Sequence, residues 1–182
     1  MTALIIDNKG WLQSVEVIPS PNYDARPDNA VVSLIVIHGI SLPPGEYGGG
    51  NIETFFCNEL DPATHGFFES ISDLRVSAHC LIERSGQIIQ FVSFLNRAWH
   101  AGVSNWKGQE TCNNFSVGIE LEGTDTDLYA PCQYTQLSSL IAAIRNRFPT
   151  IGRDDLCGHS DIAPGRKTDP GESFDWSAIK NL

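Results

Sequence analysis

The run Val31-Val-Ser-Leu-Ile-Val-Ile37 is apolar at every position except Ser33, and most of its residues are β-branched. A strand with one wet face alternates; this run does not, so it belongs in the middle of a sheet covered on both sides. The chain must then supply layers above and below that strand. Ser77-Ala-His-Cys-Leu-Ile82 and Gln87-Ile-Ile-Gln-Phe-Val92, joined across Arg84-Ser-Gly86, read as a hairpin. Phe115-Ser-Val-Gly-Ile-Glu-Leu121 reads as a further strand. Leu137, Leu140, Ile141, Ile144 and Phe148 recur with helical spacing, which predicts a helix over Tyr134 to Phe148 with Thr135 as N-cap and Pro149 as its stop. A last short helix is expected from Ser173 or Asp175 to the C-terminus. Strands interleaved with helices, one pair being a hairpin, predict an α/β (α+β) fold: a mixed β-sheet flanked by helices. At 182 residues with no internal repeat, the chain is expected to be a single domain over 1–182. Leu42-Pro-Pro-Gly-Glu-Tyr-Gly-Gly-Gly50 lies between strong core signals and reads as a long loop, a class that often carries function.

Charge narrows the partners. Twelve Lys and Arg stand against 22 Asp and Glu, a formal net charge of −10. Such a chain repels polyanions at long range, which argues against a nucleic-acid binder or an adhesin for anionic cell wall. The first apolar stretch, Ala3 to Ile6, is followed at once by Asp7 and has no basic flank, unlike a signal peptide or a membrane span. Cys57, Cys80, Cys112, Cys132 and Cys157 are odd in number and form no C-x-x-C pair, so reduced thiols in a cytoplasmic protein are expected.

Several residues have the chemistry of a site. His38 follows the buried run directly; a rigid strand would fix its imidazole as a ligand or catalyst, and a hydrogen-bonded core histidine is the other reading. His159 lies in Leu156-Cys-Gly-His-Ser-Asp-Ile-Ala-Pro-Gly-Arg-Lys-Thr-Asp-Pro170, followed by Arg166, Lys167 and Asp169. Asp169 precedes a proline, which biases its backbone to an extended conformation. Alternation along 116–121 puts Glu120 on a face with Gly118, which leaves room beside the carboxylate for a general base. Glu122 reads instead as part of a solvent face. Two histidines and a carboxylate are the protein ligands of a three-ligand zinc site that keeps one position for water. A separate glutamate beside that water supplies the base that amide hydrolysis needs. The chain has no H-E-x-x-H, Walker A or G-x-S-x-G motif.

Taken together, longer segments resemble one family. They are Ile37-His38-Gly-Ile-Ser-Leu-Pro-Pro-Gly-Glu46, Arg75-Val-Ser-Ala-His-Cys-Leu-Ile82, Arg97-Ala-Trp-His-Ala-Gly-Val-Ser104, Gly118-Ile-Glu-Leu-Glu-Gly-Thr-Asp125 and Lys167-Thr-Asp-Pro-Gly171, with Pro19 to Pro27 ahead of them. In this order they look like the zinc amidases of the AmpD type, over about 11–176. The resemblance implies a fold shared with peptidoglycan recognition proteins and phage-type amidases. It implies Zn2+ as cofactor, held by His38, His159 and Asp169, with Glu120 as catalytic base and Lys167 stabilising the transition state. It implies hydrolysis of the amide between the lactyl group of N-acetylmuramic acid and L-alanine of the stem peptide, on anhydro-muropeptides in cytoplasmic peptidoglycan recycling. A small-molecule muropeptide is then the partner, with no nucleic acid, membrane or obligate protein partner.

Two departures accompany the match. Gly39 stands where the family has Asn, and Thr111 where it has Arg; both positions are expected near the substrate. Because muropeptides carry carboxylates, the acidic chain must place positive charge locally, and Arg75, Arg97, Arg166 and Lys107 are the candidates. Arg75, His100, Gly39 and Arg166 are expected to contact substrate. His79 reads as structural or as a group behind the site, and His65 as a loop residue. A wall-lytic amidase and a non-catalytic muropeptide-binding protein are the rival readings.

Overall fold

In the computed structural model, which describes residues 3–179, strands and helices interleave along the chain. The strands are β1 (Glu16–Val17), β2 (Tyr23–Asp24), β3 (Leu34–Ile40), β4 (Cys80–Ile82), β5 (Ile88–Gln90), β6 (Arg97–Ala98), β7 (Asn105–Trp106), β8 (Gln109–Glu110), β9 (Ser116–Glu122) and β10 (Leu156–Gly158). The α-helices are α1 (Asn51–Phe56), α2 (Gly66–Ile71), α3 (Pro131–Arg147) and α4 (His159–Ile162). Six strands form one sheet in the order β1-β5-β4-β9-β3-β10. The pair β4–β5 is the expected hairpin and runs antiparallel. The other neighbouring pairs of that sheet are parallel. The architecture is therefore the mixed sheet with flanking helices that the sequence predicts.

The apolar run is central, as expected, but the strand it forms is shifted along the chain. Pairing of β3 with β9 begins at Leu34↔Ser116 and runs to Ile40↔Glu122. His38 therefore lies inside the strand, not at its end, because the partner strand continues past it.

On one face of the sheet α3 lays Leu137, Leu140, Ile141 and Ile144 over Ile35, Ile37, Val117, Ile119 and Leu121. Burying one such side chain fully is worth about 1.5–3 kcal/mol. The helix begins a turn earlier than its apolar spacing suggests. Pro131 occupies its first turn, where a missing N–H costs nothing. Gln133 fixes that end: its Oε1 accepts the Ala130 N–H at 2.9 Å, and its Nε2 donates to Ile82 O and Glu122 O, each at 3.0 Å. Thr135 is thus inside the helix, its hydroxyl donating to Pro131 O, and it is not the cap.

The opposite face carries two separate cores. In one, Ile52, Phe55 and Phe56 of α1 and Phe68 of α2 pack on Leu81, Ile89 and Phe91. In the other, Leu34 and Val36 meet Ala101, Phe115, Cys157 and Ile162. A cleft opens between these cores, where β3 and β9 end and β10 passes into α4. Ligand sites in sheets of this kind lie at the carboxyl ends of parallel strands. The expected terminal helix is only a 3₁₀ turn at Trp176–Ala178, and residues beyond 179 lie outside the described part. No helix among the described residues is long and apolar enough to cross a membrane.

Candidate active site

Three elements deliver side chains to the cleft. In the parallel register of β3 and β9, His38 lies directly beside Glu120. Neighbours in register share a face, so both point the same way. Gly158 pairs with Ile37, which brings His159, the first residue of α4, to the same end. Asp169 returns on the following loop, where its carbonyl accepts the Ser160 N–H at 3.0 Å. Tyr129 steadies that loop by donating from Oη to Pro170 O at 2.9 Å.

The result is a tight trio of acceptor atoms. His38 Nδ1 lies 3.0 Å from His159 Nδ1. Asp169 Oδ2 lies 3.3 Å from His38 Nδ1 and 3.1 Å from His159 Nδ1. A tetrahedral ion with bonds of about 2.0–2.1 Å needs ligand atoms roughly 3.3 Å apart. His159 Nε2 lies 3.1 Å from Ala101 O, which only accepts, so the proton of a neutral His159 sits there and its Nδ1 is a bare lone pair. Lone pairs and a carboxylate converging on one point repel unless a cation lies between them, so the donor set fits a divalent metal such as zinc.

The electrostatics follow from burial. Desolvation, with the neighbouring His159, holds His38 down to about 4, against the pull of Asp169. Desolvation likewise holds His100 well below its usual value. Burial pushes Asp169 upward, but the imidazoles of His159 and His38 beside it outweigh this and keep the carboxyl well below the usual range. Glu120 moves the other way: desolvation raises it well above the usual range, Asp169 adds to this, and Lys167 opposes it. Glu120 is only 9% exposed, with Oε1 4.0 Å from His38 Nδ1. Its Oε2 has no hydrogen-bond partner among the described residues. Two carboxylates in one cleft are thus driven apart in acidity, the pattern that separates a ligand from a general base.

The cleft has an apolar wall of Phe55, Phe56, Leu74, Val76 and Trp99 facing these groups, and Lys167 and Gly39 also line it. Of the residues expected to bind substrate or supply positive charge, Arg75, Arg166, Arg97 and Lys107 do not line it. Their charge is used elsewhere. Arg75 donates to Ser72 O and Leu74 O, and Arg166 to Ala101 O and Val103 O. Arg97 pairs with Asp24, and Lys107 with Asp155 at 2.7 Å. Lys167 is therefore the cation of the cleft lining. His100 borders the cleft, and its ring nitrogens engage His38 and Ser116. At Gly39 a Cβ would lie 2.3 Å from Tyr129 Oη, so the missing side chain makes room for that hydroxyl.

Other histidines and acids resolve structurally. His79 Nδ1 accepts the Gly118 N–H at 3.0 Å, and burial holds the ring down to about 3. His65 caps α2 by accepting the Phe67 N–H at 3.1 Å. Glu122, expected on a solvent face, is buried; it accepts the Arg84 N–H at 3.0 Å and the Gly48 N–H. It clasps the glycine-rich loop to the β4–β5 turn. Sequence reasoning missed Asn113, Ser116 and Tyr129, all of which brace the site; only the gap at Gly118 hinted that something packs there.

Known proteins are similar to this chain in sequence and fold. The pattern of the N-acetylmuramoyl-L-alanine amidase family matches residues 28–172. A Salmonella typhimurium 1,6-anhydro-N-acetylmuramyl-L-alanine amidase AmpD is 53% identical over 178 residues, covering 98% of this chain and 95% of its own. A crystal structure of a selenomethionine AmpD derivative superposes with a TM-score of 0.93 at 53% identity, over 96% of this chain and 97% of that one. The E. coli amidase AmiD, solved with anhydro-N-acetylmuramic acid-L-Ala-D-γ-Glu-L-Lys, superposes with a TM-score of 0.60 at 25% identity, over 98% of this chain and 65% of that one. With likeness along nearly its whole length on a matching fold, the chain belongs to the N-acetylmuramoyl-L-alanine amidase family, is an amidase, and is of the AmpD type.

Proposed function

We propose that this protein hydrolyses the amide between the lactyl group of 1,6-anhydro-N-acetylmuramic acid and L-alanine of the stem peptide, as a zinc enzyme of cytoplasmic peptidoglycan recycling. The observation that carries the metal reading is the convergence of His38 Nδ1, His159 Nδ1 and Asp169 Oδ2, within 3.0–3.3 Å of one another. Zinc, when bound, supplies Lewis acidity: it polarises a carbonyl and brings a coordinated water toward a pKa near 7.

The chain's own residues supply the rest. Glu120, desolvated and with Oε2 unpartnered, takes the proton of the attacking water and passes it to the departing alanine nitrogen. Desolvation, which raises that carboxyl, makes its ionised form a stronger proton acceptor. Lys167 faces the negative charge that develops on the lactyl oxygen. Phe55, Phe56, Leu74, Val76 and Trp99 exclude water and receive the apolar parts of the substrate. The anhydro sugar is supported by the names of the Salmonella relative and of the AmiD complex. Five unpaired cysteines support a reducing compartment.

The test is mass spectrometry of products from anhydro- and reducing-end muropeptides, with metal analysis of the same sample. Expected are free peptide beginning at L-alanine, faster release from the anhydro form, and about one zinc per chain. Intact muropeptide after prolonged incubation with zinc-loaded protein contradicts the proposal.

A further inference from the structure

Both imidazoles of the candidate metal centre turn their outer nitrogens to one strap of chain. His159 Nε2 meets Ala101 O at 3.1 Å, and His38 Nε2 meets His100 Nδ1 at 2.9 Å. Proton positions along the second contact follow link by link. Cys112 O only accepts, so the Ser116 hydroxyl donates to it at 2.6 Å. Ser116 Oγ then has only acceptor capacity left, and His100 Nε2, 3.1 Å away, donates to it. A neutral His100 with its proton on Nε2 has a lone pair on Nδ1, which accepts from His38 Nε2. His38, like His159, is thereby left with a bare lone pair at Nδ1, pointing into the centre.

The strap is itself pinned. Asn113 Oδ1 accepts the His100 N–H at 3.1 Å and the Ala101 N–H at 2.8 Å. Asn113 is buried, so these bonds are shielded from water. Gly118 of β9 lets the His100 ring lie flat against the strand, since a Cβ there would sit 2.4 Å from His100 Cγ.

We propose that the dipeptide His100-Ala101, pinned by Asn113, is a positioning device that sets the tautomer and pitch of both metal-binding imidazoles. This rests on the reading of His38 and His159 as ligands. Outer hydrogen bonds to ligand histidines typically carry 10–100-fold in metal affinity. Two consecutive residues that orient two ligands couple them, so loosening the strap disturbs both at once.

The experiment is zinc titration of metal-free protein against a competing chromophoric chelator, with 15N NMR of the histidine rings before zinc is added. His100→Leu removes the acceptor; His100→Asn returns an oxygen to the place of Nδ1. His100→Leu is expected to weaken zinc binding about 10–100-fold and to erase the Nε2–H signature of His38 while keeping that of His159. His100→Asn is expected to restore both readouts. Asn113→Ala, which keeps all three rings, is expected to weaken zinc binding by a similar factor and to broaden both ligand signals. Wild-type affinity in His100→Leu, no rescue by His100→Asn, or wild-type affinity in Asn113→Ala overturns the proposal. If the wild-type protein binds no zinc, the ligand reading fails, and the tautomers of the metal-free rings still decide the role of the strap.

Discussion

Gly118→Ala adds a single methyl group to the middle of β9. The new Cβ would lie 2.4 Å from His100 Cγ, 2.6 Å from Nδ1 and 2.7 Å from Cδ2. Carbon–carbon contacts settle at about 3.5–4.0 Å, so the ring must retreat by roughly 1 Å. The bond from His38 Nε2 to His100 Nδ1 is 2.9 Å long, and a retreat of that size takes it outside hydrogen-bond range. Two losses should follow. Overpacking of this kind costs about 1–3 kcal/mol of stability. For a chain of this size each kcal/mol lowers Tm by roughly 2–4 °C. Loss of the outer bond on His38 should weaken zinc binding about 10–100-fold, or about 1.4–2.8 kcal/mol. Calorimetric melting of the metal-free variant measures the first, and chelator competition the second. A variant that melts with the wild type and binds zinc equally well would refute the packing of His100 on Gly118 and the role assigned to that bond.

Other perturbations probe different parts of the site. Glu120→Gln should keep zinc and lower kcat by about 10²–10⁴-fold, read by single-turnover product release; near-wild-type kcat rules it out as the base. Burial raises the Glu120 carboxyl in the folded chain, so its ionisation opposes folding. That cost is absent below the ordinary carboxylate range and grows as pH rises through the raised value. Metal-free Glu120→Gln should therefore melt above the wild type at neutral pH, with the gap closing toward pH 4.5, the ordinary glutamate value; a gap that widens on acidification contradicts the sign. Asp169→Ala should strip zinc from the purified protein, and full metal content in that variant argues against ligation. Leu140→Ala should cost about 2–5 kcal/mol in denaturant unfolding yet leave kcat per folded molecule unchanged; a small cost would mean that α3 is not packed as described.

Much of the framework was readable because its signals are local. The unbroken apolar run of β3, the turn between β4 and β5, and the apolar stripe of α3 each follow from spacing within a few residues. Helices α1 and α2 were not anticipated, since each is one short segment of six residues with no sustained stripe. The start of α3 was misplaced because Gln133, a long-range staple to β4 and β9, holds that end in place of Thr135. Within the site, His38, Glu120, His159 and Asp169 were nominated from residue chemistry and family resemblance. That they meet depends on the parallel register of β3 with β9 and β10, which no single segment encodes.

Surface charge was the least readable feature. Arg75, Arg97, Arg166 and Lys107 are cations by sequence, but each is committed to a carbonyl or carboxylate of its own neighbourhood. Only three-dimensional pairing shows which cation faces the cleft, and among those considered it is Lys167. His100 shows the same dependence on partners distant in the chain. It occupies the rim by sequence context, yet its partners, His38 and Ser116, come from β3 and β9 and draw its ring inward.

The chemistry proposed here depends on where the divalent ion goes. Crystals of the zinc-loaded protein, measured on either side of the zinc absorption edge, give that answer in one anomalous difference map. The account predicts one dominant peak per chain, within bonding distance of His38 Nδ1, His159 Nδ1 and Asp169 Oδ2 and beside Glu120. A map with its main peak elsewhere, or with none at those three atoms, would contradict it.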